Sequence, residues 1–216
     1  MLHIRLGRHL SLLIQLAQTK NLTITSTATG GTHWTNKMGE YESTPPSYRE
    51  TNSHIFFYGH ELTTRYSRLQ NWYPSVFHAV NNPAIRFYTA EHAIMHAKAI
   101  LFSDLATAEK ILNAATPKEA GALGREVKNF DSNVWKQNVD RVAEEVFWAK
   151  FSQVRECREA LLATGEKGLA EASPTDKVWG IGFRADEAEG NEKQWGRNIA
   201  GRALEKVRTR LRTEEW

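Results

Sequence analysis

The residues with the clearest chemical potential are Glu91 and Lys98, a carboxylate and an amine seven positions apart in a stretch of helical periodicity. In an α-helix, residues seven apart project within about 20° of each other, so the two side chains share a face. Met95 and Phe102 lie near the same face, which makes its surroundings partly apolar. Burial there raises the pKa of a carboxyl group and lowers that of an amine, which suits both to acid/base and nucleophilic chemistry. An ordinary, partly buried ion pair is the competing interpretation of this spacing.

His92 and His96 form a second pair on another face of this helix, at the i, i+4 spacing that metal ions use. The His-Glu-x-x-His order of metalloproteases is absent, and solvated or capping histidines are the more common outcome of this spacing. A single cysteine, Cys157, excludes an internal disulfide and every multi-cysteine zinc or iron–sulfur site. We therefore expect no metal and no cofactor.

Two further segments bring polar and aromatic residues together. Residues 70–74 set amide side chains beside two aromatic rings, a combination that can stack on a planar ring and hydrogen-bond its edge. Residues 171–182 hold carboxylates, an indole and two glycines, and glycine lets a ligand approach the backbone closely. Packed loops that carry core aromatics would give the same composition.

The elements that must position these residues are mostly helices. Periodicity, caps and breakers predict helices over residues 89–102, 105–115 and 117–127, a long helical region from a Ser132 cap to about Gly165, and a basic closing helix over 198–211. Apolar runs and turn residues predict a strand at 55–58, a hairpin of 76–80 with 85–88, and short strands or extended connections at 169–172 and 178–183. The predicted fold class is therefore α+β, mainly helical, in a single compact domain with a small β element.

The composition is that of a globular protein with an added leader. The 216-residue chain is 41% hydrophobic and carries a formal charge of +3, but its first 39 residues hold four basic and no acidic side chains. Because Lys and Arg total 28 against 25 Asp and Glu, the rest of the chain has a net charge of −1. Affinity for nucleic acid therefore has to come from a local patch rather than from the charge of the whole chain.

The predicted domain boundary lies at residue 53. Residues 1–20 are Leu-rich and basic, and residues 21–53 are rich in Ser and Thr without helical or strand periodicity. This predicts a disordered N-terminal extension and linker before a domain at 54–216, with the leader either an organelle-targeting presequence or a plain extension. No apolar run reaches the about 20 residues that span a membrane. We expect an intracellular protein, cytoplasmic or nuclear unless the leader directs it to mitochondria.

Nine motifs, in order along residues 54–212, resemble those of the NADAR domain family. They are Phe57-Tyr58-Gly59, Asn71-Trp72-Tyr73-Pro74, Ala90-Glu91-His92-Ala93 with Lys98, Leu123-Gly124-Arg125, Phe130-Asp131 with Trp135, Lys150-Phe151, Leu161-Leu162 with Thr164-Gly165, Glu171 to Gly182, and Trp195-Gly196-Arg197-Asn198 with Gly201. Gln70 departs from the pattern, because the family usually has a small residue there. The resemblance implies an N-glycosidase fold that acts on ADP-ribose-related or riboflavin-pathway substrates, and the leader resembles that of a eukaryotic member.

Within that family, the chain is expected to remove ADP-ribose from the guanine amino group of modified DNA, RNA or a nucleotide. Ribose on an exocyclic amine can open to an imine, and a desolvated lysine can exchange with it, which makes Lys98 the candidate nucleophile. Glu91 would move protons during ring opening and departure of the base, with Asp176 activating water or binding ribose hydroxyls. The alternatives are direct hydrolysis with paired carboxylates, cleavage of phosphoribosylated riboflavin-pathway intermediates, and a non-catalytic ADP-ribose-binding module.

The candidate binding residues follow from what each part of this substrate needs. Phosphates need guanidinium forks or helix N-termini, and the family-matching candidates are Arg125, Arg197, Asn198 and Lys150. The base and ribose need stacking surfaces and amide groups, and the candidates are Trp72, Asn71, Trp135, Trp179 and Gly180. A solvated helix face is the alternative for the basic residues, and core packing is the alternative for the tryptophans. The sequence does not determine the oligomeric state.

Deleting residues 1–39 is expected to leave glycosidase activity on a short modified oligonucleotide largely unchanged, because the domain would recognise the ADP-ribose group rather than the polyanion. Steady-state rates of the full-length and truncated proteins, measured side by side, test this. A large loss of activity on truncation would instead assign the leader to the substrate-binding surface.

Overall fold

The computed structural model describes residues 23–26, 32–35, 48–59 and 64–214. The chain divides into two units, Met1–Pro45 and Pro46–Trp216. The predicted leader, residues 1–20, lies outside the described residues. The second unit therefore begins somewhat before the predicted domain start at residue 54.

The first unit contains one antiparallel strand pair. Strand β1 (Thr23–Ser26) pairs with β2 (Thr32–Thr35), and Thr23 lies opposite Thr35. Both strands fall in the segment predicted as a linker without strand periodicity, so the structure differs from the prediction here. A high content of Ser and Thr is typical of linkers. Threonine, however, is β-branched and favours extended backbone, which accounts for the difference.

The second unit is built around a three-stranded sheet in the order β3 (Tyr48–Glu50), β4 (His54–Phe57), β7 (Gly168–Glu171). Strand β4 pairs antiparallel with β3 and parallel with β7. Ile55 and Phe57 are buried on one face of β4 and Phe56 on the other, which is typical of a central strand covered on both sides. The predicted strands at 55–58 and 169–172 are confirmed, and β3 explains why the unit begins before residue 54.

The predicted hairpin is also present. Strand β5 (Phe77–Ala79) pairs antiparallel with β6 (Asn82–Phe87), and Val80 and Asn81 make the turn. Asn82 and Pro83, expected in the turn, belong to β6 instead. A proline can occupy an edge strand because its missing amide hydrogen is not needed there.

Three helices follow the hairpin as predicted: α1 (Ala90–Leu101), α2 (Leu105–Leu112) and α3 (Pro117–Arg125). Each begins after a side-chain cap, because Thr89, Asp104 and Thr116 accept hydrogen bonds from amides three residues ahead. Pro117 occupies the first turn of α3, where its missing amide hydrogen costs nothing.

The long helical region is divided into α4 (Ser132–Gln153) and α5 (Arg155–Leu162), because Val154 between them is extended. Its predicted cap, Ser132, was wrong by one residue. The carboxylate of Asp131 accepts from Asn133 N at 2.7 Å and from Val134 N at 3.1 Å, so it satisfies two free amides at once.

The closing helix, α6 (Ile199–Thr213), confirms the prediction for 198–211. Residues 178–183 form bends rather than a strand. Their carbonyls are already used, since those of Gly180, Val178 and Trp179 accept from the amides of residues 198, 199 and 200. These bonds cap α6 with loop backbone, so the amides of its first residues have partners within the chain.

Most of the helices and both β elements of the second unit share one apolar core, and two smaller clusters flank it. Helix α1 lies between the main core and the cluster that it forms with α2 and α3, so it is packed on several sides. No helix in the described part of the chain is long and apolar enough to cross a membrane.

Helix α6 packs directly on β7 at Gly201. A Cβ atom at this position would lie 1.9 Å from Leu169 O and 2.5 Å from Asn198 Nδ2. We expect Gly201→Ala to lower the free energy of unfolding by at least about 1–3 kcal/mol, because a backbone carbonyl cannot yield as a flexible side chain can. Urea unfolding measures this, with Thr209→Ala on the exposed face of α6 as the control. Equal stability of Gly201→Ala and the unsubstituted protein would contradict this packing.

Candidate active site

Glu91 lies in the first turn of α1, where burial raises the pKa of its carboxyl group to about 7. The negative charge of Asp176 also raises it, whereas a hydrogen bond from the Trp72 indole and the positive charge of Arg125 oppose the shift. The backbone amide of Glu91 donates to Asn71 O at 3.1 Å. The segment that contains Asn71 and Trp72 therefore holds Glu91 by both its backbone and its side chain.

Gly121 in α3 gives the Glu91 carboxylate its space. A Cβ atom at residue 121 would lie 2.9 Å from Glu91 Oε1 and 3.9 Å from an Arg125 guanidinium nitrogen. Glycine inside a helix costs about 1 kcal/mol relative to alanine, so its presence here needs a reason. The close approach of the carboxylate supplies that reason.

Lys98 lies in the last turn of α1, and its Nζ donates to Gly124 O at 2.7 Å. The ammonium group is 4.2 Å from the ring centroid of Phe130 and 5.8 Å from that of Trp135. Burial, and then the charge of Arg125, lower the pKa of Lys98. Phe130 is 45% exposed, so the aromatic wall beside the amine borders solvent.

Glu91 and Lys98 do not pair with each other. Among the residues that the structure describes, no salt bridge joins them, and each has the partners given above. The ordinary ion pair is therefore not the arrangement present. Arg125 acts on both groups, because its charge lowers the pKa of the carboxyl and of the amine.

Glu171 is a further carboxyl group of this site to which the sequence analysis gave no role. It ends β7, opposite Phe57, and its amide donates to Asn198 Oδ1 at 3.1 Å. Burial, and then the charges of Asp176 and Glu91, raise its pKa to about 8. The sequence offered only a carboxylate in the predicted strand at 169–172, and the parallel pairing with β4 places it at the carboxyl end of the strand, where ligands of α/β sheets bind.

Asp176 sits in the loop after β7 and brings its charge close to both glutamates. Its Oδ1 accepts from Val178 N at 2.7 Å and from Trp179 N at 2.9 Å, which fixes the turn. Gly180 completes this loop, since a Cβ atom there would lie 2.6 Å from Glu171 O. The structure thus groups three carboxyls, and two of them have strongly raised pKa values.

Two buried oxygen atoms in this region have no hydrogen-bond partner: Asn71 Oδ1 and Glu171 Oε2. A buried acceptor without a donor costs about 1–3 kcal/mol. Hydroxyl or amine groups of a ligand could supply the missing donors.

Three of the other predicted binding residues have structural contacts. Asn198, with left-handed backbone (φ 49°), donates from Nδ2 to Leu169 O at 2.8 Å while its Oδ1 accepts from Glu171 N. It therefore extends the hydrogen bonding of β7. Arg197 donates to Asp140 Oδ2 at 2.6 Å, and Trp179 packs against the main core.

Lys150 is fully buried, and its Nζ donates to Gln70 O at 2.8 Å. A phosphate cannot reach the ammonium group in this position. Trp135 is half-buried between two apolar clusters, where it also borders Lys98. Trp72, Asn71 and Arg125 are the predicted binding residues that the structure places beside Glu91.

The histidine pair serves packing. The Nδ1 atom of His92 lies 2.7 Å from Thr89 Oγ1 and its Nε2 lies 3.2 Å from Ala114 O, while His96 packs edge-on against Phe87. Burial lowers the pKa of both imidazoles. Across the described ranges, no group of three or more His, Cys, Asp or Glu residues could hold a metal ion.

Comparison with known proteins gives the family. The sequence profile of the NADAR domain matches residues 56–212, and the chain belongs to this family. It is 34% identical to an N-glycosidase of Acanthamoeba polyphaga mimivirus over 164 residues, which cover 74% of this chain and 96% of the relative.

Two further comparisons extend this result. A riboflavin biosynthesis protein of Vibrio vulnificus is 31% identical over 157 residues, which cover 73% of this chain and 38% of that longer protein. The NMR structure of the E. coli protein YbiA superposes with a TM-score of 0.59 at 26% identity, covering 77% of this chain and 89% of that one. The mainly helical α+β fold is thus shared with YbiA.

Replacing Asp176 with Asn is expected to lower the pKa of Glu91 from about 7 and that of Glu171 from about 8, because a neighbouring negative charge is removed. The amide keeps an oxygen for Val178 N and Trp179 N, so the turn is preserved. Infrared titration of the carboxyl bands, assigned with Glu91→Gln and Glu171→Gln, measures both values. Unchanged values would show that Asp176 carries no charge near the glutamates.

Proposed function

We propose that this chain is an N-glycosidase that removes ADP-ribose from the guanine amino group of modified nucleic acid or of a nucleotide. The observation that carries the proposal is the separate placement of an acid and an amine on one helix face, with the pKa of each moved toward neutrality by burial. The mimivirus relative is named an N-glycosidase, which supports the reaction class. A module that only bound ADP-ribose would need neither group.

In the proposed mechanism, the first step opens the ribose ring. Glu91, whose pKa of about 7 leaves about half of it protonated at neutral pH, donates a proton to the ring oxygen. The bond between C1′ and that oxygen breaks, and C1′ becomes a protonated imine of the base amine. The Trp72 indole and Arg125 then stabilise the Glu91 carboxylate that remains.

Lys98 acts in the second step. Its neutral amine adds to C1′, and Glu91 takes up the proton released from the new ammonium group. Glu91 returns this proton to the base nitrogen, the bond from C1′ to that nitrogen breaks, and guanine leaves. Water then adds to C1′ of the Lys98 imine, the bond from C1′ to Nζ breaks, and one proton returns to the Glu91 carboxylate, so that ADP-ribose leaves and Lys98 regains its neutral amine. Asp176 would activate this water.

Substrate contacts follow from the same geometry. Ribose hydroxyls would donate to the two unpartnered acceptors, Asn71 Oδ1 and Glu171 Oε2. Arg125 would pair with a phosphate, and the base would stack on Trp72 or on exposed Phe130, which borders the Lys98 amine. Trp179 and Arg197 remain candidates for the outer part of the nucleotide.

A second candidate function is cleavage of a phosphoribosylated riboflavin-pathway intermediate, because the Vibrio vulnificus relative is named a riboflavin biosynthesis protein. In such a substrate the sugar is also joined to nitrogen, so the same acid and amine would serve. The two candidate substrates differ in the leaving base. In addition, only the ADP-ribosylated substrate carries a second phosphate and an adenosine.

The test is incubation with guanine-ADP-ribosylated single-stranded DNA beside the phosphoribosylated pyrimidine, with and without borohydride. We expect release of ADP-ribose from the DNA and, with borohydride, a covalent adduct on Lys98 found by mass spectrometry. Lys98→Ala should abolish adduct and turnover. Glu91→Gln should slow turnover by about 10²–10⁴-fold, the usual contribution of an acid/base group. Lys110→Ala, which removes an exposed lysine of α2, should leave the rate unchanged.

Each contrary result has a defined meaning. Turnover without an adduct would replace the imine route by direct hydrolysis with Glu91 and Asp176 as the paired carboxylates. Cleavage of the pyrimidine alone would favour the second function. Full activity of both variants would remove Glu91 and Lys98 from the mechanism.

A further inference from the structure

Lys150 is a buried cation that the proposed mechanism does not use. It is 0% exposed in the last turn of α4, and burial lowers its pKa to about 8. Removing a charged group from water is costly, so a fully buried lysine without a compensating role is uncommon. Its partners therefore indicate what it does.

The Lys150 ammonium group contacts both ends of the segment 70–73. Its Nζ donates to Gln70 O at 2.8 Å and lies 5.6 Å from the ring centroid of Tyr73. Both contacts are on the two residues that flank Asn71 and Trp72. The hydrogen bond joins residues that are 80 positions apart in the sequence, because Lys150 lies in α4 and Gln70 lies in the loop before the hairpin.

A second set of bonds holds the far end of the same segment. Tyr73 donates through its hydroxyl to Glu156 Oε1 at 3.2 Å, and Arg68 pairs with Glu156 Oε2 at 3.5 Å. Because Glu156 lies in α5, the segment is attached to two helices. Neither attachment involves a residue that would touch the substrate.

The residues between these attachments are those that contact Glu91. Asn71 O accepts from Glu91 N at 3.1 Å, and the Trp72 indole donates to the Glu91 carboxylate, which lowers its pKa. We propose that Lys150 is a positioning residue, which fixes the 70–73 segment so that Trp72 keeps its hydrogen bond to Glu91 and thereby sets the protonation of that carboxyl. For catalysis the inference rests on the proposed function, whereas the coupling of Lys150 to Glu91 does not.

Other titratable and charged groups also lie near Glu91 and near Lys150. Glu91 is faced by Arg125 of α3, by Asp176 of the loop after β7, and by Glu171 at the end of β7. Lys150 is faced by Cys157 and Glu156 of α5. Of the contacts that reach Glu91 through the segment that Lys150 holds, the Trp72 hydrogen bond is the one that acts on the carboxylate, whereas Asn71 O binds the backbone amide.

The test is Lys150→Met, which keeps the length of the side chain and removes the donor to Gln70 O. We expect the pKa of Glu91 to rise above about 7, because the carboxylate loses the indole hydrogen bond. Infrared titration of the Glu91 carboxyl band, identified by its loss in Glu91→Gln, measures this directly. The limb of the pH–rate profile that Glu91→Gln removes should move to higher pH by the same amount.

The matched control is Arg208→Met. Arg208 is also a buried cation, and it donates to Lys167 O at 2.8 Å and to Thr164 Oγ1 at 2.7 Å, so it supports a different loop. It should lose stability in urea as Lys150→Met does, but keep the pKa of Glu91. A shift of equal size in both variants would assign the effect to general destabilisation and overturn the proposal.

The proposal is also overturned if the Lys150→Met variant folds and the pKa of its Glu91 is unchanged. If Lys150→Met does not fold, Tyr73→Phe decides, because it releases the same segment from Glu156 without burying an unpaired group. If Tyr73→Phe then leaves the pKa of Glu91 unchanged, attachment of residues 70–73 does not control that pKa and the proposal is overturned. Because the titration needs no turnover, a shifted pKa in a protein that cleaves neither test substrate would sustain this inference while the proposed function falls.

Discussion

The arrangement of the site depends on burying two carboxyl groups, those of Glu91 and Glu171, near each other and near Asp176. Burial, and next the negative charge of Asp176, raises the pKa of Glu91 to about 7 and that of Glu171 to about 8. Because both values exceed the 4.5 of an exposed glutamate, the folded state loses stability as pH rises from about 4.5 through 8. Gly121, Gly180 and the Trp72 hydrogen bond are the local features that make this costly grouping sterically and electrostatically feasible.

Some of this site could be predicted from the sequence, and the reason is local periodicity. Glu91 and Lys98 belong to one regular helix, so a fixed rotation per residue places them on one face. The caps of α1, α2 and α3 follow from the same short-range rules. The cap of α4 was predicted less well. Asp131 and Ser132 are adjacent and either could cap the helix, and the structure shows that the Asp131 carboxylate does so by accepting from two amides.

The parts that could not be predicted depend on contacts distant in sequence. Lys150 matched a basic family position and was assigned to phosphate, but its burial is determined by the packing of α4 beneath a loop 80 residues away. Asn198 carried the same assignment, and its amide proved to continue the hydrogen bonding of β7. Glu171 lies in a family-matching motif, but only the pairing of β7 with β4 shows that it ends a buried strand.

That pairing has a consequence for how the protein acquires its site. His54 pairs with Gly168, so the sheet forms only after the intervening chain, which includes α1 to α5, has been synthesised and brought back on itself. Closing so long a loop is entropically costly and slows folding of proteins rich in such contacts. The helices can form from local interactions, whereas the end of β7, with Glu171 and the loop of Asp176, is held in place only once this long loop has closed. Glu171 and Asp176 therefore become neighbours of Glu91 and Lys98 only when β7 has paired with β4.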